Sequence, residues 1–137
     1  MIVGKVLTSV SKQVIQENIN TYAEASGDHN PLHWDENFAV NATHYGRIVA
    51  HGMLILAYIS EMMTNEFGIL WIENGTLKVR FKAPVYPGDN VETFGEIVKC
   101  EEDTKGYKVS CSVGCRKIDG EDVITGQASL YMPNAGL

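Results

Sequence analysis

Residues 51–67 read HGMLILAYISEMMTNEF, the most apolar run in the chain, and residues 76–82 read TLKVRFK. In the first stretch apolar residues fall on nearly all sides of a helix through Tyr58, with polar residues only towards its end, which predicts a helix buried nearly all round. After Gly75 the period changes to two: Leu77, Val79 and Phe81 alternate with Thr76, Lys78, Arg80 and Lys82. That switch decides the fold class, because everything downstream keeps the strand period. Tyr107, Val109, Cys111, Val113 and Cys115 alternate in the same way. Asn90–Glu101 and Asp122–Met132 read as two further strands. Turn signals stand at Pro87-Gly88-Asp89, Asp103 to Gly106 and Asp119-Gly120.

Upstream, Lys5 to Val14 alternates and predicts a first strand. Ile15, Ile19, Tyr22 and Ala23 have helical spacing, and Gly27 is a helix stop. Asp35 to Ala42 suits a short helix, with Asp35 and Glu36 at its positive end. The order is therefore strand, helix, buried helix and four strands joined by short turns. It predicts an α+β protein in which an antiparallel sheet curls around one long helix, residues 1–137 forming a single domain.

At 137 residues and 45% hydrophobic, the chain can bury a core, and pairing with a second copy would add useful buried surface. A net charge of -6 argues against nucleic acid as partner, since phosphate binding needs a basic face. No run approaches the roughly 18 apolar residues of a membrane span, and the first residues lack a signal-peptide pattern. The expectation is a soluble, cytoplasmic protein. Cys100, Cys111 and Cys115 form no CxxC pair. The last two share a strand face roughly 13 Å apart, too far for a disulfide within that strand, so reduced core thiols are expected.

Residues 26–33, SGDHNPLH, lie between the two main helices. Gly, Asp, Asn and Pro are turn formers, so loop chemistry accounts for half of these letters. It does not account for the histidines. The surrounding segment, YAEASGDHNPLHWDENFAVNATHYGRIVAHGM, resembles the MaoC-like hydratases, especially the (R)-specific enoyl-CoA hydratases. Their signature of Gly-Asp, a variable residue, Asn-Pro, an aliphatic residue and His is matched by Gly27, Asp28, Asn30, Pro31, Leu32 and His33. A looser likeness extends over the strands through FKAPVYPGD.

The resemblance implies the hot-dog fold, with two subunits joining their sheets in a homodimer or a higher oligomer. It implies Asp28 and His33 as catalytic pair and the backbone amide of Gly52 as the donor that binds the thioester oxygen. Asn30 and Ser60 fall at supporting positions. The substrate is expected to be an acyl-CoA thioester, with no cofactor beyond the coenzyme A that is part of it, and no metal.

The chemistry supports these residue types. Hydrating a double bond conjugated to a thioester needs a base, an acid and stabilisation of the enolate between them. Asp28 and His33 can divide the proton transfers, and Pro31 restricts the loop that carries them. Gly52 opens a helix whose first amides lack internal partners and whose dipole favours negative charge.

Other readings stand beside these. Asp28 and Asn30 could serve only the turn, with Asn30 bracing it through backbone hydrogen bonds. Ser60 could bond back to its own helix. His29, His44 and His51 with Asp28 invite a metal site, but their spacings match no helical ligand pair. Leu54, Ile55, Leu56, Ile59 and Met62 either line an acyl pocket or fill the core, most of them the core. Lys78, Arg80 and Lys82 either meet coenzyme A phosphates or form a solvated strand face. The rival functions are a hot-dog acyl-CoA thioesterase and a non-catalytic acyl-thioester binding subunit. SGDHNPLH favours the hydratase over the first, and the intact Asp28 and His33 weigh against the second.

Overall fold

The computed structural model describes residues 2–134. Its elements run β1 (Ser11–Gln13), α1 (Gln16–Ser26), a 3-10 turn (Pro31–His33), α2 (Glu36–Ala42), α3 (Gly52–Phe67), α4 (Ile69–Asn74), β2 (Thr76–Phe81), β3 (Asn90–Glu102), β4 (Gly106–Lys117) and β5 (Asp122–Pro133). The strands form one five-stranded sheet in the order β1-β3-β4-β5-β2, every neighbouring pair antiparallel. One face of that sheet packs on α3, the hot-dog arrangement of an α+β fold.

The strand alternation fixes which face is covered. Val91, Thr93, Gly95 and Ile97 of β3 point inward opposite Cys115, Val113 and Cys111 of β4, in the register Thr93↔Cys115, Gly95↔Val113 and Ile97↔Cys111. From α3, Ile55, Ile59, Met62 and Met63 complete the core. Gly95 permits the close approach of helix and sheet: a Cβ there would sit 2.9 Å from Met62 Cε and 3.0 Å from Leu7 Cδ1, inside van der Waals contact. Cys111 and Cys115 are buried free thiols, and Cys100 is a half-buried one. Burial, foremost, pushes Cys111 up to about 11 and Cys115 up to about 12.

The helix punctuation follows the residue chemistry. Gly27 ends α1 in the left-handed region at φ 77°, its N–H donating to Ala23 O at 2.9 Å, a conformation glycine adopts without penalty. Asp35 caps α2 by accepting from Phe38 N–H at 3.2 Å.

Four expectations change. The first strand is regular only over Ser11–Gln13. Residues 4–14 do run along β3, through Leu7 N–H to Gly95 O and Thr93 N–H to Val10 O. However, the Thr93 hydroxyl takes the Val10 N–H at 2.8 Å, and a side chain there replaces a rung of the ladder. The strands after α3 are not all sequential neighbours: β2 pairs with β5, so residues 82–89 cross from one side of the sheet to the other. Helix α3 is not buried all round in the single chain, since one sheet covers one face while Met53 remains 55% exposed. Finally, Ile69–Asn74 forms an unexpected short helix that buries Trp71. No helix among the described residues is long and apolar enough to cross a membrane.

Candidate active site

The loop after α1 is built by its own side chains. Asp28 N–H donates to Ser26 Oγ at 3.2 Å, Asn30 N–H to Asp28 Oδ1 at 3.2 Å, and Leu32 N–H to Asn30 Oδ1 at 3.0 Å. Asn30 thereby caps the 3-10 turn, with Pro31 in its first position, where a missing N–H and a fixed φ cost nothing. The turn carries His33 back towards the start of α3.

His33 Nδ1 lies 2.6 Å from Val49 O. A carbonyl only accepts, so Nδ1 carries a proton, and in the neutral imidazole Nε2 presents a lone pair. That lone pair faces Asp28, whose Oδ2 stands 3.9 Å away. Two acceptors at this separation form no direct hydrogen bond, but they match the two hydrogens of one water. The His33 side chain is 12% exposed and that of Asp28 53%, so the imidazole is fixed in the wall while the carboxylate is open.

His33 and Gly52 line the same cavity of about 440 Å³, together with Leu32, Val49, Ala50, Ile55, Phe81 and Val123. This is the size of a small-molecule pocket, predominantly apolar with few polar groups. Gly52 is the first residue of α3, so its N–H has no partner within the helix. A Cβ at this position would lie 2.9 Å from Phe81 Cε1. The structure thus places His33 and Gly52 in one cavity wall, with Asp28 beside His33 but outside that wall and Asn30 holding the loop.

Ser60 is elsewhere. It lies about two turns along α3, is not part of the cavity wall, and accepts a hydrogen bond from Trp71 Nε1 at 2.9 Å. Of the apolar residues on α3, Ile55 lines the cavity while Leu54, Ile59 and Met62 lie in the core. Lys82 reaches the cavity, whereas Lys78 and Arg80 are exposed beside a separate groove on β2 and β5.

Two contributors escaped the sequence reading. The Val49 carbonyl selects the His33 tautomer, and no side-chain pattern announces a carbonyl. His51, only 2% exposed, stacks on His33 with ring centroids 3.7 Å apart and planes 25° from parallel. Asp28, His33 and His51 each offer a donor atom within 4.8 Å of the others, which tests the metal reading. An ion must lie in the plane of each imidazole that binds it, about 2 Å from the nitrogen. Planes stacked in this way do not meet that close to the rings, so the cluster as placed does not converge on an ion.

A hot-dog domain with a carboxylate and an imidazole facing each other beside a helix N-terminus defines the class. Residues 2–117 match the family described as the MaoC like domain, and the chain belongs to that family. It is 34% identical over 134 residues to the mitochondrial 3-hydroxyacyl-(acyl-carrier-protein) dehydratase of Arabidopsis thaliana, a match covering 96% of this chain and 78% of that protein. It is 32% identical over 133 residues to the (R)-specific enoyl-CoA hydratase of Rhodospirillum rubrum, covering 93% and 86%. The solved (R)-hydratase from A. caviae involved in PHA biosynthesis superposes with a TM-score of 0.82 at 28% identity, over 97% of this chain and 98% of that one.

Proposed function

We propose that the protein is an (R)-specific enoyl-CoA hydratase, a hydro-lyase that reversibly adds water to trans-2-enoyl-CoA to give (R)-3-hydroxyacyl-CoA. The observation that carries this reading is the 3.9 Å gap between Asp28 Oδ2 and Nε2 of His33, a lone pair when the imidazole is neutral. One water held across the gap directs its oxygen at the β carbon. As the C–O bond forms, one of the pair takes a proton from that water. The π electrons then move towards the thioester oxygen, which the Gly52 N–H holds as an enolate. Return of the proton from the pair to the α carbon completes the addition on one face, and the reverse sequence dehydrates. The names of the relatives support both directions. Coenzyme A enters as part of the substrate, and the reaction needs no other group.

The working form is a homodimer. Strand β2 ends the sheet with its outer edge unpaired among the described residues, and Met53 and Phe81 are 55% and 54% exposed. An open edge and adjoining apolar surface of this kind are what a second copy covers. Sedimentation should find a dimer or larger species, and an active monomer would contradict it.

The test of function uses crotonyl-CoA with two readouts. Enoyl absorbance should fall while a thiol reagent detects no matching release of coenzyme A. Stoichiometric thiol release with the double bond intact indicates a thioesterase instead. Inactivity across chain lengths and carriers indicates a binding subunit.

A further inference from the structure

We propose that His51 is a positioning residue for the Asp28–His33 pair, an inference that rests on the hydratase reading above. His51 is the residue before α3 and is buried to 2% exposure. Its Nε2 lies 3.0 Å from Asp28 O, and because that oxygen only accepts, Nε2 carries the proton of the neutral imidazole. Nδ1 is left with a bare lone pair, buried and without a partner. An unpaired buried nitrogen is destabilising, and a leucine would fill similar space without it. The imidazole therefore supplies something that apolar packing does not.

Two of its features touch the catalytic pair. Its N–H anchors the main chain of Asp28, whose side chain is 53% exposed and gains little support from packing. Its flat face lies 3.7 Å from the His33 ring. The hydrogen bond from His33 Nδ1 to Val49 O holds one nitrogen but leaves the ring free to tilt about it. The stack sets the tilt. Together they aim Nε2 of His33 at the Asp28 carboxylate. Tyr22 in turn packs on His51, ring centroids 4.9 Å apart. Since His51 is followed directly by Gly52, a single residue couples the carboxylate, the imidazole and the oxyanion donor.

The variants His51→Phe, which keeps a ring face, and His51→Gln, which keeps an N–H donor, separate the two contacts. With crotonyl-CoA each should lower kcat at least about tenfold and leave KM within about twofold, because small misplacements of reacting groups slow chemistry without removing substrate contacts. In a His33→Ala background the same substitutions should cost less than about twofold more, since the partner they position is gone. Tyr22→Leu, one contact further out, should give a milder loss of kcat at constant KM, and it carries the test if the His51 variants do not fold. Independently of activity, nuclear magnetic resonance relaxation of the His33 ring should show a rigid imidazole in the parent and a mobile one in His51→Gln, with the Nδ1–H tautomer that Val49 O selects kept in both. Near-normal kcat in every variant, a change confined to KM, or an equal further loss without His33 overturns the proposal, as does unchanged mobility of the His33 ring. A parent protein that hydrates nothing, but whose His33 mobility changes in this way, overturns only the hydratase reading and supports the positioning role.

Discussion

Replacing Gly52 by alanine separates the oxyanion donor from the stability of the helix that carries it. The backbone there is ordinary first-turn helix without a positive φ, so alanine fits the helix and the fold should survive. The new Cβ would lie 2.9 Å from Phe81 Cε1, 3.1 Å from Cδ1 and 3.6 Å from Cζ. The nearest contact is at least about 0.6 Å inside the favourable 3.5–4.0 Å range. Phe81, 54% exposed, can swing outward at low cost, but the methyl group stays beside the amide, which under the proposed function must admit a thioester oxygen. Losing one oxyanion donor costs about 100- to 1,000-fold in kcat, so Gly52→Ala should lose at least about a hundredfold in crotonyl-CoA hydration with a melting temperature close to the parent's. Gly52→Ala with Phe81→Leu relieves the ring contact but not the blocked amide, and it should remain slow. A kcat within threefold of the parent in Gly52→Ala would refute the assignment of the Gly52 amide. Recovery in the double variant would place the defect in Phe81 instead.

Asp28→Asn and His33→Ala should each reduce turnover at least about a hundredfold with little loss of stability, and the double variant should be little worse than the slower single one; near-normal turnover in either single variant contradicts the pair. Ser60→Ala leaves the buried Trp71 N–H without its acceptor, so it should destabilise by about 1–3 kcal/mol while kcat changes less than threefold. A large kcat loss at unchanged stability would instead place Ser60 with the substrate. Burial raises Cys111 to about 11 and Cys115 to about 12, above the roughly 8.5 of an unfolded thiol. The folded state therefore holds these protons more tightly: the stabilisation is full below about pH 8.5 and is lost as pH rises towards those values. Urea midpoints should fall through that window, and Cys111→Val with Cys115→Val should flatten the fall; an unchanged alkaline loss in the double variant refutes this.

What the sequence disclosed follows from how local each signal is. Gly27 as a helix stop and Asp35 at the start of α2 concern a few neighbouring backbone groups, and both appear as expected. The alternating strands show which face they bury, since side-chain direction reverses at every residue. Strand order carries no such local mark. Nothing in TLKVRF says that β2 joins β5 across the sheet, because that choice depends on contacts made far along the chain. The apolar run of α3 suggested burial on all sides because composition records how much surface must be covered, not by which chain. Helix α4 was hidden because it is six residues long and follows Gly68, which reads as a stop. In the site, the signature pointed to Asp28 and His33, and the wider family resemblance to Gly52, whose relation is set by the loop and the helix start. It was silent on Val49 O and on the stacking of His51, which exist only after α3 and the loop have packed together.

The central claim is that one water, held between Asp28 and His33, supplies both new groups to the same face of the alkene. Hydration of crotonyl-CoA in deuterated water, followed by nuclear magnetic resonance of the isolated 3-hydroxy product, tests it most directly. A single deuterium is expected at the α carbon on the same face as the hydroxyl, with the (R) configuration at the β carbon. Deuterium on the opposite face, or scrambled over both, would contradict it.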